Sequence, residues 1–173
     1  MSKIAYLFPG QGSQYVGMGQ DLFEADPGAR ELFGLAEDTT GLPLKRLCFT
    51  GPMEELTLTV NLQPAVTVVN LCLYRALAKA GVTPVAVCGH SLGEYSALYA
   101  AGVLSANDTI AAANAIGDTS GGGRNIRSFA NVPAVVTDLQ DREATGRELE
   151  AVANLTWGKP ASWQISITLR MVP

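Results

Sequence analysis

One histidine, three cysteines and few basic residues remove several chemistries before any motif is sought. The lone histidine, His90, argues against a zinc centre, which draws on several imidazole or thiolate ligands. Cys48, Cys72 and Cys88 are odd in number and have no metal-ligand spacing; each lies in apolar company and reads as a small core residue in a reducing compartment. Twelve Lys and Arg against sixteen Asp and Glu give a net charge of −4. No basic cluster offsets it, which argues against nucleic acid as a partner. No apolar run is long enough to cross a bilayer, because Gln63-Pro64, Asn70 and Arg75 interrupt the richest stretch. The start of the chain has one lysine and then a short apolar run, with no secretory pattern. The expectation is a cytoplasmic protein without membrane contact.

What is present points to an α/β protein. At 173 residues, 47% of them hydrophobic, the chain can bury one domain, or one domain and part of another. It is organised around Val85-Ala86-Val87-Cys88-Gly89-His90-Ser91-Leu92-Gly93-Glu94. Small apolar residues lead into Gly-x-Ser-x-Gly and helical spacing follows, the pattern of a nucleophile elbow that pushes a serine hydroxyl out of a sheet. Ser91 is the candidate nucleophile, and Gly89 and Gly93 suit a turn with no room for side chains beside it. Residues 4–8 form an apolar run that reads as a buried parallel strand. It ends at Pro9-Gly10-Gln11-Gly12-Ser13-Gln14, which lacks the Gly-Lys-Ser/Thr of a phosphate loop. Tyr15 stands where a dinucleotide fingerprint needs its third glycine. A loop at a strand's carboxyl end is still where open α/β sheets place ligands.

Asp26-Pro27 predicts a helix N-cap with proline at the first helical position, and Gly41 predicts the stop. Residues 42–55 read as a loop with short helical turns. A long, mostly buried helix is predicted over 64–80, opened by Pro64 and closed by Gly81, with Leu73 and Leu77 in its core stripe. The elbow strand covers about 85–88 and the elbow helix about 92–101, ended by Gly102. Ser105-Ala106-Asn107-Asp108 is a capping-box variant opening another helix that Gly117 closes. The expected domains are an α/β core over 1–117, a glycine-rich linker over 118–131 and a β-α-β piece over 132–173. In the last of these, Trp163, Ile165, Ile167, Leu169 and Met171 alternate with polar residues.

Three stretches together resemble one family. Phe8-Pro9-Gly10-Gln11-Gly12-Ser13-Gln14 with Gly17-Met18-Gly19, then Gln63-Pro64-Ala65, then Gly89-His90-Ser91-Leu92-Gly93-Glu94-Tyr95 are similar, in order and spacing, to the signatures of malonyl-CoA:acyl carrier protein acyltransferases. The likeness covers about residues 3–110. The resemblance implies an α/β-hydrolase-like large subdomain, here partial, with the start of a ferredoxin-like small one. It implies a malonyl group moved from coenzyme A to a serine and on to the phosphopantetheine thiol of acyl carrier protein, in fatty-acid or polyketide synthesis. No permanently bound cofactor is implied; malonyl-CoA is the acyl donor, and acyl carrier protein and the coenzyme A thioester are the partners. By motif position, Ser91 matches the nucleophile, Gln11 and Leu92 the backbone oxyanion donors, and Gln63 a pocket residue. His90, beside the nucleophile, is placed with the substrate-binding residues.

Two family residues have no counterpart. The arginine that pairs with the malonyl carboxylate falls at Ile116, and isoleucine cannot replace a planar bidentate cation. Arg124 and Arg127 lie beyond the glycine run. The family's general-base histidine belongs to a region farther along than this chain reaches, and neighbouring residues of an elbow point different ways, which argues against His90 as the base. The chain is thus expected to be an N-terminal part of the family's length, truncated or diverged after about residue 110. Three readings stay open: an acyltransferase, a non-catalytic fragment, and a hydrolase or transferase for uncharged acyl groups.

Overall fold

The computed structural model describes residues 4–118. Of the expected linker over 118–131 only Asp118 is described, and the β-α-β piece over 132–173 lies outside the described residues. Strand β1 (Ala5–Phe8) is followed by α1 (Gln20–Ala25), α2 (Pro27–Thr40), α3 (Leu44–Phe49), α4 (Met53–Leu56) and α5 (Thr59–Lys79). Strand β2 (Ala86–Gly89), α6 (Gly93–Ala100) and α7 (Ala106–Asp118) complete the order. The two strands pair in parallel, Ala5 opposite Ala86 and Phe8 opposite Gly89. Both strands therefore end at the same edge, and that edge carries the 9–14 loop and the elbow. The fold is α/β.

Two buried clusters hold these elements. The larger joins Phe33 and Ala36 of α2, Leu47 and Cys48 of α3, Leu62 to Cys72 of α5, and Ile110 and Ala113 of α7. The smaller sits under the sheet, where Tyr6, Phe8 and Val87 meet Ala97 and Ala100 of α6. Tyr74 closes it, with ring centroids 6.1 Å from Tyr6 and 5.6 Å from Tyr99 in edge-to-face arrangements that suit aromatic quadrupoles. Burial pushes the Cys48 and Cys72 thiols up to about 12, so both remain protonated at neutral pH. Cys88 is half-buried.

The caps follow the local chemistry. Gly28 N donates to Asp26 Oδ1 at 3.3 Å, with Pro27 at the first helical position and Gly41 left-handed at φ 70° after the last turn. Ser105 Oγ accepts from Asp108 N at 3.1 Å and opens α7. Helix α5 closes in a Schellman arrangement: Val82 N donates to Leu77 O at 3.0 Å and Gly81 N to Ala78 O at 3.0 Å. Helix α6 repeats it, Val103 N donating to Leu98 O at 2.9 Å.

Five features differ from the sequence expectation. Helix α5 begins at Thr59, so Pro64 lies inside it. Leu58 O accepts from Asn61 N and Leu62 N and starts the helix without a side-chain cap, while Pro64 leaves only the Val60 carbonyl short of its bond. Gly117 does not end α7; it lets that helix approach α5, where a Cβ at 117 would stand 2.9 Å from Val60 Cα. Leu73 and Leu77 are exposed, because the helices around α5 flank its first half and leave this side of its second half open. Strand β1 is not buried on both faces: Tyr6 and Phe8 face the helices while Ala5 and Leu7 are exposed, because the described helices cover one face of the pair. Helix α1, with no side-chain cap, has no counterpart in the sequence reading.

Asp26 also ties α2 to the end of α5. Arg75 Nε donates to Asp26 Oδ2 at 3.0 Å and Lys79 Nζ to Oδ1 at 3.3 Å. Desolvation pushes the Asp26 carboxyl up, but Arg75, the Gly28 N–H and Lys79 outweigh it and hold it below its ordinary value. A depressed carboxylate stabilises the fold fully above its unfolded value, about 3.9, and this is lost as pH falls through the lower folded value. The expected result is that Asp26→Asn lowers the thermal midpoint at pH 7 and that this deficit shrinks as the pH is taken below about 4. Thermal melts of both chains across that range check it.

Candidate active site

The site is built where the two strands end. His90 N donates to Phe8 O at 3.1 Å, continuing the ladder one residue beyond Gly89. The chain then reverses at Ser91, the one non-glycine residue with positive φ among those described, at 53°. A left-handed serine costs roughly 1–2 kcal/mol and persists because its surroundings over-determine it. Gly93 N donates to His90 O at 2.9 Å, Glu94 N to Ser91 O at 3.0 Å and Tyr95 N to Leu92 O at 3.2 Å, so α6 starts at once. Strand, left-handed serine and helix succeed one another within a few residues.

The glycines of this turn are required by contact. A Cβ on Gly89 would lie 2.1 Å from Gly93 C, and one on Gly93 would lie 2.1 Å from Phe8 O. A third close approach comes from the loop after β1, where a Cβ on Gly10 would lie 2.6 Å from His90 O and 3.4 Å from Leu92 N. The 9–14 loop is thus seated directly against the elbow. Its own shape is set locally: Ser13 Oγ donates to Gly10 O at 2.8 Å, and Gly12 N donates to Gln14 Oε1 at 2.8 Å.

Ser91, His90 and Gln11 are exposed, whereas Leu92 is buried. Among the described residues, the Gln11 and Leu92 N–H groups and the Ser91 hydroxyl have no protein hydrogen-bond partner. Gln63, buried on α5, donates from Nε2 to Gln11 Oε1 at 3.3 Å, bringing two of the sequence-chosen residues together. Its Oε1 is buried without a partner among the described residues. Burial raises the Glu94 carboxyl, opposed by the Ser91 backbone N–H and by His90. No group of three His, Cys, Asp or Glu among the described residues is placed to hold a metal, and no helix among them is long and apolar enough to cross a membrane.

The sequence reading passed over Asn70. This residue is buried on α5, where Nδ2 donates to Pro9 O at 3.1 Å and to Ser96 Oγ at 3.3 Å. Its signal was a lone amide in the apolar stretch over 64–73. Ile116, on α7, is half-buried.

A left-handed serine between a parallel strand and a helix, with a glycine-rich loop against it, defines an α/β protein of the nucleophile-elbow class. Residues 5–119 match the acyl transferase domain family, and the chain belongs to that family. It is similar to the malonyl CoA-acyl carrier protein transacylase of Bacillus subtilis (strain 168), 52% identical over 110 residues that cover 64% of this chain and 35% of the relative. Among solved structures it is similar to the malonyl CoA-acyl carrier protein transacylase of Clostridium perfringens, with a TM-score of 0.64 and 38% identity, covering 68% of this chain and 37% of that one. A type II PKS acyl-carrier protein in complex with its malonyl-transacylase is similar at a TM-score of 0.64 and 41% identity, covering 68% and 38%. The chain spans about a third of the length of the curated relatives it matches.

Proposed function

We propose that this chain carries the serine and oxyanion part of an acyl-transfer site, moving malonyl or a related acyl group from coenzyme A to the phosphopantetheine thiol of acyl carrier protein. The observation that carries this reading is Ser91 at φ 53° with the 9–14 loop packed against its turn. Ser91 Oγ attacks the thioester carbonyl, and the negative charge that develops on the carbonyl oxygen is met by the N–H groups of Gln11 and Leu92. The C–S bond breaks, coenzyme A leaves as the thiol and an acyl-serine remains. The carrier's thiol then attacks the ester, its proton returns to Ser91 Oγ and the acyl group departs as a new thioester. Splitting the transfer in this way replaces one difficult step with two easier ones. Gln63 and His90 belong to the walls that receive the acyl group and pantetheine. The names of the similar proteins support malonyl as the group carried and acyl carrier protein as the acceptor. The wider architecture belongs to the same reading, an α/β-hydrolase-like subdomain followed by the start of a ferredoxin-like one.

Ile116 favours a second reading of the substrate. An aliphatic side chain in the family's arginine position gives a malonyl carboxylate no bidentate cation and suits an uncharged acyl chain. Intact-mass measurement after incubation with malonyl-CoA or acetyl-CoA separates the two readings. A malonyl adduct on Ser91 supports the first, a preference for acetyl supports the second, and a folded chain that takes neither is a non-catalytic member of the family.

A further inference from the structure

We propose that Asn70 is the positioning residue that sets the spacing of the two oxyanion donors. The proposal rests on the oxyanion reading of Gln11 and Leu92. Those donors belong to separate pieces of chain, the loop after β1 and the start of α6, and no backbone hydrogen bond among the described residues runs directly between residues 9–14 and α6. Asn70 links them from below. One amide nitrogen donates to Pro9 O, two residues before Gln11, and to Ser96 Oγ, one helical turn after Leu92. An amide nitrogen has two hydrogens, so both are used and neither acceptor can be dropped without leaving a buried donor unpaired.

Three features make this link a stiff one. Asn70 is 3% and Ser96 0% exposed, so water does not compete for these bonds. Asn70 sits in the middle of α5, whose residues 62–72 are all buried, so its backbone has little freedom to follow a shifted partner. The Pro9 carbonyl is also confined from the other side, since a Cβ on Gly93 would come within 2.9 Å of it. The loop can neither lift away from α6 without breaking the Asn70 bond nor move closer without meeting Gly93. A buried amide in an otherwise apolar stretch is costly unless fully bonded, and here its bonds go to the two segments that carry the proposed donors.

The test uses the full chain with Asn70→Leu, of the same branched skeleton and without a donor, and Asn70→Asp, of the same size, as the second variant should the bulkier leucine chain fail to fold. The first measurement is the set of backbone ¹H–¹⁵N shifts of Gln11 and Leu92, which needs no activity. The second is phosphonylation by a fluorophosphonate probe. Ser91 Oγ bonds to phosphorus, the P–F bond breaks, fluoride leaves, the hydroxyl proton goes to solvent, and the phosphoryl oxygen seats between the two N–H groups. Both amides are expected to shift, and the limiting labelling rate to fall about 10- to 100-fold with the half-saturating probe concentration unchanged, the scale of a displacement near 1 Å. The Asn70→Asp rate, relative to the unaltered chain, is expected to recover as pH falls from about 8 to about 5, because a protonated buried carboxyl donates one bond again. A merely structural role would leave that ratio flat. Unmoved amides, or labelling at the unaltered rate, overturn the proposal. If the unaltered chain takes no probe, the nucleophile reading of Ser91 fails, and the amide shifts alone decide for or against Asn70.

Discussion

Ser91→Ala is expected to take up no acyl group from malonyl-CoA or acetyl-CoA and no phosphonyl group from a fluorophosphonate, while keeping its fold. The covalent step needs the Oγ lone pair, and alanine has no atom to replace it. Its backbone demand is met as poorly by alanine as by serine, since each carries a Cβ into the left-handed region at φ 53°. The turn is imposed from outside, by Phe8 O, which accepts from His90 N, and by the contacts of Gly89 and Gly93. Ser91→Gly separates strain from chemistry. It loses the hydroxyl in the same way but relieves the left-handed Cβ, so it is expected to be about 1 kcal/mol more stable than Ser91→Ala. Intact mass after incubation reads the first effect, and urea midpoints of the two variants read the second. An alanine chain that still gains one acyl or phosphonyl mass would move the nucleophile elsewhere. A glycine chain no more stable than the alanine one would mean that the elbow stores no strain.

The rate of that labelling in the unaltered chain bears on a separate point. Among the described residues no side chain accepts a hydrogen bond from Ser91 Oγ, and the neighbouring His90 is exposed. A serine without a positioned base is a weak nucleophile at neutral pH. Sites of the serine-triad kind that lack one member keep roughly 10³–10⁴-fold acceleration over water through oxyanion donors and binding alone. Acceleration of that order is what the proposed donors Gln11 and Leu92 would supply, and the acyl-serine is therefore best sought as a mass rather than as steady-state flux.

How much of this was legible beforehand depended on whether the cause was local. Asp26-Pro27, Ser105 with Asp108, and the glycines at 41, 81 and 102 act within a turn of their own position, and each was read from neighbours in sequence. The elbow's signal is local too, because Gly89, Ser91 and Gly93 fall within five residues, although the contact that demands Gly93 comes from Phe8 on the other strand. Pro64 misled for the opposite reason: a proline near a helix start normally marks the first turn, but the start here was moved back by Leu58 and by burial of Leu62 and Gln63. Leu7 misled because burial of a strand's second face depends on which elements lie over it, and residues 4–8 hold no information about that. Gln63 was reached through the resemblance, yet its contact with Gln11 spans 52 positions and no periodicity encodes it. Asn70 joins segments 61 and 26 residues away and looks, in sequence, like an interruption of an apolar stretch.

Gly93→Ala is expected to be among the most damaging small substitutions within the described residues. The added methyl would lie 2.1 Å from Phe8 O, 2.7 Å from Phe8 C and 2.9 Å from Pro9 O. All three are backbone atoms at the end of β1, so no side chain can rotate away. The only relief is to separate α6 from the strand edge, which pulls Leu92 and Ser91 away from the 9–14 loop and strains the Asn70 bonds to Pro9 and Ser96. Overpacking of this kind costs about 1–3 kcal/mol even where side chains can yield, and an immovable backbone places the expected loss at or above the top of that range. A shift near 1 Å between nucleophile and oxyanion donors would also slow labelling by about 100-fold. Gly34→Ala is the matched control. It lies within α2 with nothing inside 4 Å of the added methyl, so the same chemical change there is expected to raise stability by about 0.5–1 kcal/mol. Urea denaturation and probe labelling of both variants give opposite signs for stability, and loss of labelling at one site alone. Equal stability in the two would show that the close approach of α6 to β1 can relax, and that the elbow does not depend on a glycine at 93.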